Sequence, residues 1–285
     1  MPKTFCLNYK YYLSMKFVKK FIYFLFNKFG YLILKTPEAA QLSEDSFPRA
    51  YLDLLAQSSL TSGFRVSEAQ EIISNAKSQL GQDILALCIN GLKRDGFFVE
   101  FGATDGVELS NTFLLEKKFG WTGILCEPGN IWHRDLAKNR NCFIDTRCVA
   151  NKSDELIDFA QAPNAVLSTI VDFQDSDLHA GARANSLVYQ VKTVSLRELL
   201  RTYNSPFEID FLSIDTEGSE YSILRDFDFG EYRFNLICVE HNYTSSRDDL
   251  FDLFVSNGYK RVHTELSKFD DWYVRSDNPM YTLDM

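Results

Sequence analysis

Gly96-Phe97-Phe98-Val99-Glu100-Phe101-Gly102-Ala103-Thr104-Asp105-Gly106 reads as a strand running into a glycine-bearing loop. Apolar Phe97 to Val99 fits a short strand buried on both faces, and Glu100, Phe101 and Gly102 carry it into a turn that holds two glycines and an acid. Ser110-Asn111-Thr112 offers cap-type side chains ahead of a helix, because Phe113, Leu114, Leu115 and Phe119 recur at helical spacing until Gly120. Gly123 to Cys126 is a second apolar run and ends in Glu127. That acid follows the glycine loop by about 20 residues, where a nucleotide-binding strand-helix-strand unit sets a carboxylate against a ribose diol. The stretch predicts an α/β fold with a nucleoside-type ligand.

The loop itself selects among such ligands. A dinucleotide fold needs a third glycine where the helix opens beside a pyrophosphate, and Glu108 holds that place. A carboxylate such as Glu100 or Asp105 suits a ligand that carries an ammonium and a sulfonium, and Gly102 lets the backbone approach it closely. S-adenosylmethionine is such a ligand. The plainer alternative is an ordinary strand-turn-helix in a parallel sheet.

The 285 residues, 45% of them apolar, suffice for one large domain with appendages. Residues 1–36 hold seven Lys and no acid, while all 39 acids and 23 of the 30 basic residues follow, a formal charge of −16 beyond a +7 arm. Lys19, Lys20 and Lys28 interrupt the aromatic run from Lys16 to Lys35, which therefore falls short of the roughly 20 uninterrupted apolar residues of a membrane span. Residues 1–36 fit an amphipathic arm on an anionic membrane surface, or one packed on the protein's own body or on a second copy in a homo-oligomer. No small-residue cleavage site follows, so the chain is expected in the cytoplasm, peripheral on the inner membrane. Residues 37–95 read as a linker with N-terminal helices, and residues 96–285 as the ligand-binding domain. The six Cys form no CxxC pair and several fall in apolar stretches, which suggests buried thiols rather than a disulfide framework or a zinc site. The acidic body has no basic stripe for phosphates, which excludes nucleic acid as a partner.

Further strands are expected at Cys142 to Ala150, Leu156 to Ala160 and Val191 to Val194, with residues 161–190 a long surface loop at the mouth of the site. Ser195 and Glu198 form a capping box for the helix that follows. The second chemical stretch is Ile209-Asp210-Phe211-Leu212-Ser213-Ile214-Asp215-Thr216-Glu217-Gly218-Ser219-Glu220. Its buried strand presents Asp215, Glu217 and Glu220 at its carboxyl end, the side on which open α/β sheets bind ligands. The next strand, Leu236 to Val239, ends in Glu240-His241-Asn242. Asp215, Glu240, His241 and Asn242 together are hard oxygen and imidazole donors able to hold Mg²⁺ or Mn²⁺. Asp215, Glu240 and His241 are equally an acid-base set for deprotonating a hydroxyl, and His241 alone would pass as a structural histidine. Trp272 and Tyr273 are expected to pack in the core.

Ser78-Gln79 with Gly81-Gln82-Asp83, Phe97 to Ala103 with Asp105-Gly106, Ser110-Asn111-Thr112, Leu115-Glu116, Gly120 to Gly123, Glu127-Pro128 and Asp215 to Glu220 together resemble the FkbM family of methyltransferases, across about residues 78–275. The resemblance implies a class I S-adenosylmethionine-dependent fold, a mostly parallel seven-stranded sheet with helices on both faces, here with a helical N-terminal extension. It implies O-methylation of a sugar hydroxyl, with a bacterial surface polysaccharide or a lipid-linked saccharide as acceptor. Gln82 and Asp83 become a lip of the cofactor pocket, joined by Glu100, Gly102, Asp105, Gly106, Asn111 and Thr112, with Glu127 at the ribose and Val149 and Ala150 at the adenine edge. Where many members have Asp-Val-Gly-Ala-Asn, this chain has Glu100-Phe101-Gly102-Ala103-Thr104, which says little about the acceptor. The alternatives are a membrane-associated scaffold that keeps the fold without catalysis, and an NAD-dependent sugar oxidoreductase. Glu108 and the lack of a Tyr-x-x-x-Lys pair weigh against the oxidoreductase.

Overall fold

The computed structural model describes Tyr51, Leu54, Leu55 and residues 66–177 and 179–278. The basic arm at residues 1–36, expected as a helical extension, lies outside the described residues. Two compact units divide at Ser74 and Asn75. Helix α1 (Val66–Asn75) belongs to the first up to Ser74. Everything below concerns the second unit.

The apolar runs at Phe97 and Thr122 form β1 (Phe97–Phe101) and β2 (Thr122–Cys126), parallel in register and joined by α3 (Phe113–Phe119), which follows α2 (Gln82–Ile89) in the chain. Gly120 ends α3 at φ 71°, a left-handed position that glycine adopts without strain, as its place after Phe119 predicts. After α4 (His133–Asn139), β3 (Phe143–Asp145) extends this side of the sheet, and β8 (Glu208–Ile214) with β9 (Arg233–Glu240) extends the other. The seven-stranded order is β10-β11-β9-β8-β1-β2-β3, closed by β10 (Tyr259–Val262) and β11 (Asp270–Arg275). β11 runs antiparallel to both neighbours, so the sheet is mixed.

Alternation along the strands sends their side chains to two faces. Val99, Ile124, Leu212, Ile214, Ile237 and Val239 pack on one face with residues of α5 (Leu196–Thr202), α6 (Glu220–Leu224) and α7 (Ser246–Ser256). The fully buried helix α2 packs against β9 and α3. Trp272 and Tyr273 are wholly buried, in line with the sequence.

The expected single strand Cys142 to Ala150 is instead two. Asp145 accepts hydrogen bonds from the Arg147 amide at 2.9 Å and from its guanidinium at 2.6 Å, closing a turn that breaks the run. Beyond it, β4 (Cys148–Ala150) leaves the main sheet and joins β7 (Leu187–Ser195), β5 (Leu156–Gln161) and β6 (Thr169–Ile170) in a second, four-stranded sheet. Cys148, Phe159, Ile170 and Val191 form its own small core.

The stretch 161–190, expected as a loop, contains β6, the start of β7 and three 3₁₀ turns (Ala165–Leu167, Val171–Phe173, Ala180–Arg183). Side chains rather than periodicity organise it. The buried Arg183 guanidinium donates to the Leu167 and Gln174 carbonyls, to both Asp177 carboxylate oxygens at 2.8 Å and to Glu217 at 2.7 Å. Ser195 caps α5 by accepting from the Glu198 amide at 3.3 Å. At 263–268, α8 (Thr264–Ser267) links β10 to β11.

Candidate active site

β1 and β8 are neighbours whose outer connections run in opposite directions, so their carboxyl ends open a crevice at the switch point of the sheet. A cavity of about 340 Å³ occupies it, within the range of small-molecule sites. Its lining includes Glu100, Glu108, Glu127, Asp215, Glu217, Glu240 and Asp270, and no Lys or Arg among the described residues.

Gly102 turns the chain out of β1 at φ 78°, and a Cβ there would lie 2.2 Å from the Asp215 carbonyl oxygen. Only glycine allows the two strand ends to meet this closely. Gly102→Ala is expected to cost about 2–4 kcal/mol, from the left-handed backbone and the forced displacement of β8 together. Urea denaturation checks this, and a loss under 1 kcal/mol would contradict the close approach.

Glu100 turns inward. It accepts from the Asn111 amide at 2.7 Å, from Ser110 Oγ at 3.1 Å and from Thr112 Oγ1, with the Arg140 guanidinium 3.9 Å away. Burial raises its pKa, and Arg140 and these hydrogen bonds oppose the rise. Asp105 accepts from the Val107 and Glu108 amides and shapes the loop from outside the cavity lining. Gly106 also lies outside it, because it packs against Leu136 and Arg140. Thr112 is buried beneath the loop, and Asn111 stays at the lining with its amide bonded to Ser213 Oγ at 2.8 Å.

Gln82 reaches the cavity through a 2.8 Å bond to Asp270, whereas Asp83 is wholly buried and ties Lys77, Ser78 and Ile84 together. Asp83 therefore braces the lip formed by Gln82. Val149 lines the cavity, and Ala150, one step along β4, does not.

Glu127 lies at the end of β2, as its spacing predicts, and accepts from the Thr104 amide at 2.8 Å and the Gly129 amide at 2.7 Å. Burial pushes its pKa up to about 7, against those two bonds and with a smaller contribution from Asp215. An acid whose folded pKa is raised adds stability that is complete below its unfolded value and lost as pH rises through the folded one. Between pH 4.5 and 7 the wild type should lose about 3 kcal/mol more stability than Glu127→Gln. Unfolding midpoints at those two pH values check it, and parallel profiles would refute it.

Asp215 follows β8, and Glu240 ends the adjacent β9. Burial, then Glu220, pushes the Asp215 pKa up to about 6, and a hydrogen bond with the Glu240 carboxyl opposes the rise. Glu240 is raised further, by burial and then by Asp215 and Glu217. A carboxyl pair of this kind shares a proton and can accept one from a bound hydroxyl. Asp270, on β11 beside Glu240, is pushed by burial up to about 7.

His241 does not join them. It is absent from the lining, its Nδ1 accepts from the Tyr243 amide at 2.9 Å, and its Nε2, without a hydrogen-bond partner, lies 3.8 Å from Asp271, the carboxylate that Arg247 and Arg261 bind. Burial lowers its pKa and keeps it neutral. Alternation along β9 puts His241 on the face of Val239 and its β11 partner Asp271, opposite Glu240, and the turn that follows, with Asn242 and Tyr243 at positive φ, leaves Asn242 at the lining. Glu217 takes the third place instead, its ligand oxygen within 4.8 Å of those of Asp215 and Glu240. Glu220 is spent on the turn, accepting from the Thr216 and Gly218 amides at 3.0 Å.

Sequence reasoning missed two residues that build the site. Arg140 ties Glu100, Glu116, Ser110 and Thr112 into one knot, and Arg183 holds the stretch 165–186 to Glu217. The only signal for each was an isolated Arg near acids distant in sequence.

Among known proteins, the methyltransferase FkbM domain matches residues 100–272. A methyltransferase FkbM from Methylobacillus flagellatus KT is similar at 14% identity and a TM-score of 0.44, covering 84% of this chain. The chain spans 58% of that protein's length. Precorrin-6y C5,15-methyltransferase from Geobacter metallireducens GS-15 is similar at 11% identity and a TM-score of 0.36, over 70% of this chain and 88% of that one. No curated protein matches the sequence. The domain match begins at Glu100 and runs through both acid-bearing strands into β11, so the chain belongs to the methyltransferase FkbM domain family.

Proposed function

We propose that the protein is an S-adenosylmethionine-dependent O-methyltransferase acting on a sugar hydroxyl of a bacterial surface polysaccharide or lipid-linked glycan. The observation that carries this reading is the cavity at the switch point, lined by seven acids and by no Lys or Arg among the described residues. Such walls offer a pyrophosphate no cationic partner, and the carboxyls that ionise attract a cation, which favours a sulfonium over a dinucleotide. When bound, S-adenosylmethionine supplies a methyl group on positive sulfur.

The residues fit that ligand. Gly102 leaves the backbone bare where the ligand approaches, Glu127 accepts from the ribose hydroxyls, and Val149 borders the adenine. Gln82 and Asn111 close the sides of the cavity. Asp215, paired with Glu240, orients the acceptor hydroxyl and takes its proton, with or without Mg²⁺ or Mn²⁺ beside it. The basic arm at residues 1–36 would hold the enzyme at an anionic membrane surface where a lipid-linked acceptor is found. Among the described residues no helix is long and apolar enough to cross a membrane.

Incubation with methyl-tritiated S-adenosylmethionine and saccharide acceptors tests the reaction. The expected product carries label that survives mild base, as a methyl ether does. Label released by base would mark a methyl ester and contradict O-methylation of a hydroxyl.

A further inference from the structure

We propose that Asp215, Glu217 and Glu240 form a binding site for one hard divalent cation, placed where the acceptor oxygen is expected. Only this placement rests on the methyltransferase reading; the site itself stands on its geometry.

One ligand oxygen from each of the three carboxyl groups lies within 4.8 Å of the other two. Oxygens on one Mg²⁺, Mn²⁺ or Ca²⁺ ion are at most about 5 Å apart, given metal–oxygen bonds of roughly 2.0–2.6 Å. Clustered acids alone would not make a site. The independent observation is Glu240 Oε2, which is buried without a hydrogen-bond partner in a residue only 8% exposed that lines the cavity. Buried carboxyl oxygens are normally satisfied, and a cation supplies what this one lacks.

The surroundings hold the three groups in place without filling them. Glu217 Oε2 is fixed by Arg183 at 2.7 Å, and one oxygen of the same carboxyl is within 4.8 Å of those of Asp215 and Glu240. Arg183 does not cancel the cluster, because both oxygens of Asp177 already answer its charge at 2.8 Å. Thr169 Oγ1 donates to the Thr216 and Glu217 carbonyls and pins the turn between two of the ligands. This donor set differs from the one expected of the sequence, because Glu217 replaces His241.

The test titrates Mn²⁺ into chelator-treated full-length protein and follows the free ion by electron paramagnetic resonance. The expected result is one ion per chain, bound at least tenfold more weakly by Glu240→Gln and by Glu217→Gln, and displaced by Mg²⁺ or Ca²⁺. Glu231→Gln, on the surface beside Arg197 and Arg201, should bind as the wild type does. Circular dichroism confirms that each variant folds, and Asp215→Asn serves in place of one that does not. No saturable binding by the wild type, or equal binding by the site variants, would overturn the proposal. Calorimetry with S-adenosylmethionine on the same metal-free protein separates the two readings. Cofactor binding without Mn²⁺ binding overturns the cation site and leaves the methyltransferase standing.

Discussion

Asp215→Asn is expected to lower methyl transfer about 10²–10⁴-fold, the usual contribution of a positioned acid-base group. The amide keeps the shape of the carboxylate and its place beside Glu240, but it cannot accept the acceptor's proton. Stability should hold or rise, because burial and Glu220 already disfavour the charged form of Asp215. Turnover measured alongside a melting curve separates the two effects. Activity within a few-fold of wild type would remove Asp215 from the chemistry, and activity lost with the fold would make its role structural.

Arg140→Met should cost about 3–5 kcal/mol, because it leaves buried Glu100 without its cation and Glu116 with Lys117 alone. The guanidinium is wholly buried and binds Glu116 at 2.6 Å, Thr112 at 2.9 Å, and Ser110 and the Gly106 carbonyl at 3.1 Å. It also lies over the Phe98 and Phe113 rings. Burial alone would raise Glu116, yet Arg140 and its neighbours outweigh it and hold that pKa at about 2. A lowered folded pKa gives stability that is present above the unfolded value and lost as pH falls through the folded one. The wild type should therefore weaken between pH 4.5 and 2 by a contribution that Arg140→Met loses in part, since Lys117 and the Asn141 amide still bind Glu116. Glu100→Gln in the Arg140→Met background should recover part of the loss, since one buried charge fewer is stranded. Urea denaturation of the two single variants and the double variant decides this. A double variant no more stable than Arg140→Met would show that Glu100 does not depend on Arg140.

Where local pattern and tertiary structure agree, the sequence was sufficient. Phe97 to Phe101, Phe113 to Gly120 and Thr122 to Glu127 follow from burial period, a left-handed glycine and a terminal acid, all of them short-range signals. The acids after β8 were legible for the same reason. What escaped depends on contacts between distant residues. Asp145 and Arg147 break an apolar run that reads as one strand, and the second sheet follows from that break. Arg183 orders a stretch whose composition reads as loop. His241 was placed by its neighbours in sequence, but alternation from Glu240 puts the imidazole on the other face of the sheet, beside Asp271. Glu217 was seen as an acid facing the crevice; its partnership with Asp215 and Glu240 needed the turn itself.

The acid-lined cavity is expected to take S-adenosylmethionine. Calorimetric titration of the full chain with S-adenosylmethionine, S-adenosylhomocysteine and NADH decides this, with Glu127→Ala as the variant. Both adenosyl ligands should bind and NADH should not, and Glu127→Ala should weaken binding by about 1–3 kcal/mol, the cost of a lost charged acceptor. Failure of the wild type to bind either adenosyl ligand would contradict the account, as would binding of NADH in their place.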